Sequence, residues 1–246
     1  MFKSSNPLLS RMDGNNMAGV LDNAPMTVNG TIGKAFALIL IAAVAGAAVF
    51  YEALMGYTDK VMMIMGIALF GGFGAGIVTA FVPKIAKYLA PIYAFCEGAL
   101  LTGISLMLET KFPGIAVQAI GGTMLCFAVM LVLYRAGAIR ATEKFRATII
   151  SALLTIMVLY LINLIGGFFN FQIPFITGSG PMSILFSGIV ILIASLSLIL
   201  DFDFIEQGQA KMLPKDFEWY GAFGLMVTLV WLYIEILNLL AKLRND

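Results

Sequence analysis

Seven long apolar runs separated by short polar segments dominate the pattern of hydrophobic and polar positions along the chain. Each run has about 20 residues, the length that an α-helix needs to cross the hydrocarbon core of a bilayer. Charged residues, Pro or Gly bound the runs. They cover residues 35–55, 61–82, 88–108, 115–134, 148–169, 182–203 and 219–240. The pattern predicts an all-α polytopic membrane protein with seven transmembrane helices.

The segment before the first run is polar and rich in Asn, Ser, Gly and Met. It has no apolar stretch long enough for a signal-peptide core, so residues 1–33 are predicted to form a flexible polar tail and residues 34–246 the transmembrane domain. The tail and the even-numbered loops share one side and carry eleven Lys and Arg residues, against four on the other side. Because basic short loops stay in the cytoplasm, the amino terminus is predicted to be cytoplasmic and the carboxyl terminus to lie outside.

Composition supports the membrane class and excludes several functions. The chain is 61% hydrophobic and 12% charged, with a net charge of +1 and no His, and its mean hydropathy is +0.96. No nucleic-acid-binding surface is expected, nor any site that needs an imidazole base or ligand. The short Gly-Ser-Gly sequence at 178–180 lacks a His to activate its Ser, so we do not expect an enzyme, and no cofactor is predicted.

Acidic residues inside the predicted spans are the candidate functional groups. A carboxylate in a bilayer costs several kcal/mol and usually faces a bundle interior, and Glu97, Asp201 and Glu235 lie in such positions. Asp203, two residues after Asp201, points to another side of its helix, and Glu218 begins the last span as an interfacial or capping group. Both are secondary candidates. No span has a central Lys or Arg, so the acids must be protonated, share a proton or bind a cation.

Small and polar residues recur at helical spacing with these acids, and the pattern predicts that the three faces line one polar interior. The alternative is that each acid is neutral and only hydrogen-bonds a neighbouring helix. The stripes are Gly98, Thr102, Ser105 and Glu109 in the third span, Ala194 and Ser197 in the sixth, and Gly221, Gly224, Thr228, Trp231 and Asn238 in the seventh. The second span has its own small face, with Gly72 and Gly76 spaced by four, which favours packing within the chain over a homodimer contact.

Several segments resemble a known family. These are SNP at 5–7, EGALLTGIS at 97–105, FPGIA at 112–116, DFDFI at 201–205, WYGAFGL at 219–225 and WLYIEIL at 231–237. They are similar to the bacterial YccA-like branch of the Bax inhibitor (transmembrane BAX inhibitor motif) family. The resemblance implies a Bax-inhibitor-like bundle in the inner membrane and a proton-sensitive calcium leak gated by acids on helices six and seven. Those acids would be Asp201 and Glu235, which could also bind calcium.

Two functions follow as hypotheses. In the first, the chain is a pH-sensitive calcium channel in which Asp201 and Glu235 share a proton at low pH, since two close carboxylates cannot easily both ionise. In the second, it is a non-conducting scaffold or modulator of membrane-protein quality control that contacts other membrane proteins. The first requires the two acids to lie at one depth. They meet only if helix six extends to about Gln207 or helix seven enters the lipid nearer Phe223.

Overall fold

Seven long helices make up most of the computed structural model, which describes residues 24–169 and 171–245. Every one of them is long and apolar enough to cross a membrane, which confirms the predicted all-α seven-span class. A 3-10 turn at Pro83–Ile85 and a short helix at Pro174–Thr177 lie in connections. The helices are α1 (Val28–Leu54), α2 (Thr58–Phe81), α3 (Ala86–Glu109), α4 (Ile115–Arg135), α5 (Glu143–Phe168), α6 (Pro181–Ala210) and α7 (Phe217–Asn245).

Helix α7 is the central element of the bundle. It packs against α1, α3, α4 and α6. In α7, 56% of the 18-residue apolar stretch is buried inside the bundle, against 11% in α5. Leu232 and Leu237 of α7 and Leu198 and Ile199 of α6 are almost completely enclosed. Polar groups on α7 are therefore surrounded by protein instead of lipid, and this arrangement makes the acids near it candidates for function.

Small residues bring α3 close to α1 and α2. A side chain at Gly98 of α3 would collide with the backbone of Ala42 in α1. On α2, a Cβ at Gly72 would lie 3.2 Å from Cys96 Cβ, and one at Gly76 would lie 3.3 Å from the Tyr93 ring. The predicted packing of the Gly72 and Gly76 face within the chain is confirmed.

The start of α1 differs from the prediction. The helix begins at Val28, because Thr27 caps it by accepting a 3.0 Å hydrogen bond from Gly30 N, and Met26 before it is 1% exposed. Met26 N also donates to Leu213 O at 2.7 Å. The prediction of a flexible tail was therefore wrong for residues 24–33, whereas residues 1–23 lie outside the described part.

Candidate functional site: acids of the helix bundle

Asp201 points from α6 towards α7 at a place where α7 has small side chains. A Cβ at Gly224 would lie 3.6 Å from Asp201 Oδ1, and the Thr228 hydroxyl is close enough to interact with the carboxyl group. Asp201 Oδ2 is buried and has no hydrogen-bond partner among the described residues. A buried oxygen without a donor is costly, and far more so when it carries charge. The packing therefore suits a neutral carboxylic acid.

Glu235 lies in a different and better satisfied environment. Its side chain is 3% exposed, and Oε1 accepts hydrogen bonds from the Tyr160 hydroxyl at 2.7 Å and from Trp231 Nε1 at 3.1 Å. Lys242 is near enough to interact with it electrostatically. The Lys242 ammonium also donates to Ile176 O and Ser187 Oγ, both at 2.9 Å. Glu235 thus joins α7 to α5 by hydrogen bonds, and the neighbouring Lys242 joins α7 to α6.

The structure does not bring Asp201 and Glu235 together. Glu235 lies seven residues beyond Thr228 on α7, which is about 10 Å along the helix axis. The Ser187–Lys242 contact supports this alignment of α6 and α7. Ser187 lies fourteen residues before Asp201 on α6, and Lys242 lies fourteen residues after Thr228 on α7, so the two contacts agree. Helix α6 does extend past Gln207, as the pairing required, yet Asp201 still faces an earlier turn of α7. The acids form no shared-proton pair in this structure.

Glu97 belongs to a third location. It lies on α3 opposite α2, where a Cβ at Gly72 would be 3.4 Å from Glu97 Oε1, and the Tyr93 hydroxyl is near its carboxyl group. The Tyr93 ring packs edge-on against Phe223 of α7, with 5.1 Å between ring centroids. The expectation of one polar interior was therefore wrong: the three acids face different helix neighbours because α3 turns Glu97 towards α2.

The two secondary candidates form ion pairs that hold helices together. Asp203 Oδ2 accepts from Arg146 Nη2 of α5 and from Gln207 Nε2, each at 2.6 Å. Glu218 is 1% exposed. It pairs with Lys34 and accepts from Thr27 N at 2.9 Å and from Thr27 Oγ1 at 3.0 Å. Glu218, in the first turn of α7, is thus a buried anchor between α7 and α1.

Tyr160 and Lys242 were missed by the sequence reasoning. Lys242 follows Glu235 by seven residues, or two helical turns, so spacing alone could place a cation on the same face. Tyr160 gives no comparable signal, because its contact depends on how α5 packs. No cluster of three or more potential metal ligands occurs in residues 24–169 and 171–245. The predicted calcium ligands also lie at different levels of the bundle, since Asp201 faces Thr228 on α7 and Glu235 lies two turns further along, so they do not form one site.

The family comparison agrees with the sequence and the fold. A family model described as Bax inhibitor 1 like matches residues 6–245. Neither a curated protein nor a solved structure matches the chain. The match covers all seven helices, so it applies to the bundle that contains the acids and not to one segment of it.

Proposed function

The chain belongs to the Bax inhibitor 1 like family, and on that premise we propose that it is a proton-sensitive, calcium-permeable leak channel in which Asp201 is the switch. The observation that supports this function is the buried Asp201 Oδ2, which has no hydrogen-bond partner within the described ranges. The proposal keeps the predicted pH sensitivity but assigns it to one acid instead of a pair. Glu235 becomes a second carboxylate along the path, about 10 Å away along α7.

Ionisation of Asp201 would destabilise the packing of α6 on α7. A charge enclosed by protein needs a counter-ion or water. Arg146 donates to Asp203, and no ion pair with Asp201 occurs among the described residues. Water or a cation from solution must then enter beside Gly224, and a carboxylate oxygen is a ligand that calcium prefers. The neutral acid keeps the helices together, so the protonated state is the closed one and the ionised state conducts.

We expect calcium flux into liposomes containing the purified protein to rise as the pH increases from about 5 to 8, a range in which enclosed carboxylic acids can titrate. Asp201→Asn, which keeps the shape of the neutral acid, is expected to give low flux that no longer changes with pH. Glu235→Gln is expected to change the amount of flux but to keep its pH dependence, because Tyr160 and Trp231 already satisfy this side chain.

Asp203→Asn is the matched control, since it makes the same chemical change two residues away on another face of α6. It should leave the pH dependence intact. Each variant must elute from a sizing column like the wild type before its flux is compared. If the flux through Asp201→Asn still depended on pH, the assignment of Asp201 as the switch would be contradicted. If the folded wild type gave no flux at any pH, the channel function itself would be contradicted.

A non-conducting scaffold or modulator of membrane-protein quality control is the second candidate. The outer face of α2 favours it: Phe70, Phe73 and Phe81 are 78%, 68% and 82% exposed, and Gly66 and Gly74 offer open positions where another helix could approach. A scaffold of this kind is expected to give no calcium flux when folded in liposomes, so the flux measurement distinguishes it from a channel.

A further inference from the structure

A long groove opens on the side of the bundle between α1 and α4. These two helices both pack on α3 and α7, which form the floor between them. Two cavities, of about 880 Å³ and about 670 Å³, follow this α1–α4 groove. They share Ile39, Met124 and Leu229, so they lie next to each other along the groove. Their linings include none of Glu97, Asp201 and Glu235, which separates the groove from these three acids.

The larger cavity has the length of one membrane leaflet. It follows α1 from Val28 to Ile39, a rise of eleven residues or about 16 Å. The hydrocarbon core of a bilayer is about 30 Å thick, so this length corresponds to one acyl chain. Side chains such as Ile32, Phe36 and Leu131 line it. The cavity is therefore a mainly apolar groove about as long as one acyl chain.

Basic residues lie at the end of this cavity where α4 meets the following loop. Arg135 and Arg140 line the mouth, are exposed, and have no ion-pair partner in the described part of the chain. Two acids share the mouth but are already bonded. Asp203 accepts from Arg146 and Gln207, and Glu206 accepts from the Tyr134 hydroxyl. The Tyr134 hydroxyl is neutral, so Glu206 keeps its negative charge, but Arg135 and Arg140 outnumber it and leave the mouth with a net positive charge.

We propose that the α1–α4 groove binds an anionic phospholipid, with one acyl chain in the larger cavity and the phosphate at Arg135 and Arg140. The apolar lining suits a lipid tail, and the two guanidinium groups at the mouth of the same cavity suit its phosphate. Arginine is suited to the phosphate because its planar donors can bind two oxygens at once. The inference does not depend on ion conduction, and it identifies a lipid site separate from the switch at Asp201.

The test is native mass spectrometry of the delipidated protein, titrated with phosphatidylglycerol or with phosphatidylcholine of the same chain length. We expect phosphatidylglycerol to bind more tightly. The double variant Arg135→Gln/Arg140→Gln should weaken its binding about twenty-five-fold, because each arginine near an anionic lipid contributes roughly a factor of five. Lys84→Gln/Lys144→Gln removes two exposed charges at the same end of the bundle, outside the groove lining, and should have no effect.

A second pair of variants tests the acyl chain. Ile32→Trp places a larger ring in the groove and is expected to reduce binding with both arginines intact, whereas Leu40→Trp on the 65% exposed outer side of α1 should not. Equal binding of the two lipids, or unchanged binding in the arginine double variant, would overturn the proposal. So would effective competition by soluble glycerophosphate, since that outcome describes a phosphate site without a lipid tail.

Discussion

Replacing Gly98 with Ala is expected to lower the free energy of unfolding by about 3 kcal/mol or more, as overpacking against backbone can. The added Cβ would lie 2.5 Å from Ala42 Cα and 2.6 Å from Ala42 C. A flexible side chain could rotate away from such a contact, but the α1 backbone can move only if the two helices separate. Close approach of backbones is the main source of packing energy between membrane helices, so this separation is costly. The measurement is thermal unfolding in detergent, followed by circular dichroism.

Gly74→Ala is the matched control on the neighbouring helix α2. A Cβ at Gly74 would meet none of the described atoms within 4 Å. Alanine also has a higher helix propensity than glycine, so the stability of this variant should equal or slightly exceed that of the wild type. If Gly98→Ala unfolded at the same temperature as the wild type, the close approach of α1 and α3 at Gly98 would be contradicted.

The pattern of the sequence predicts the helices well because their physical cause is local. A bilayer demands about 20 apolar residues for each crossing, whatever the rest of the chain does. The small face of α2 was also predictable, since Gly72 and Gly76 are four residues apart and lie on one side of their helix. In both cases the information is contained within one segment.

The relation between segments could not be read in the same way. Whether Asp201 meets Glu235 depends on the register of α6 against α7, and the Asp201–Thr228 and Ser187–Lys242 contacts place Glu235 at another level. The span lengths allowed the pairing but did not determine it. The family resemblance drew attention to acids on helices six and seven, and the packing adds that Asp201 Oδ2 has no hydrogen-bond partner in the part of the chain that the structure describes.

The beginning of α1 was missed for a similar reason. Residues before Ala35 are polar enough to suggest a tail, and the helix there depends on Thr27 and on Glu218, which lies 191 residues later. A capping box would normally supply a Glu or Gln three residues after the cap. Here the position is Gly30, and the distant Glu218 carboxylate accepts from the Thr27 backbone instead. No pattern within the first forty residues contains that partner.

Replacing Glu218 with Gln is expected to lower the free energy of unfolding by about 2 kcal/mol. Removal of one member of a buried ion pair leaves the other charge uncompensated, which costs about 3–5 kcal/mol for a fully buried pair. Lys34 is 18% exposed and so recovers part of its hydration. The same substitution weakens the acceptor for Thr27 and should loosen the first turn of α1. Thermal unfolding measures the first effect, and hydrogen exchange at residues 28–31 measures the second.

The exposed pair of Glu52 and Lys60 provides the control, because the side chains are 23% and 52% exposed. Glu52→Gln should cost less than about 1 kcal/mol, as solvent-exposed ion pairs do. The double variant Lys34→Met/Glu218→Gln should lose less unfolding free energy than the two single variants lose together. The reason is that the double variant contains no unpaired charge at this site. If Glu218→Gln and Glu52→Gln had the same small effect, Glu218 would not anchor α1 to α7. If amides 28–31 lost protection from hydrogen exchange in Glu218→Gln but not in Glu52→Gln, a carboxylate of the last helix would be shown to hold the first helix in place.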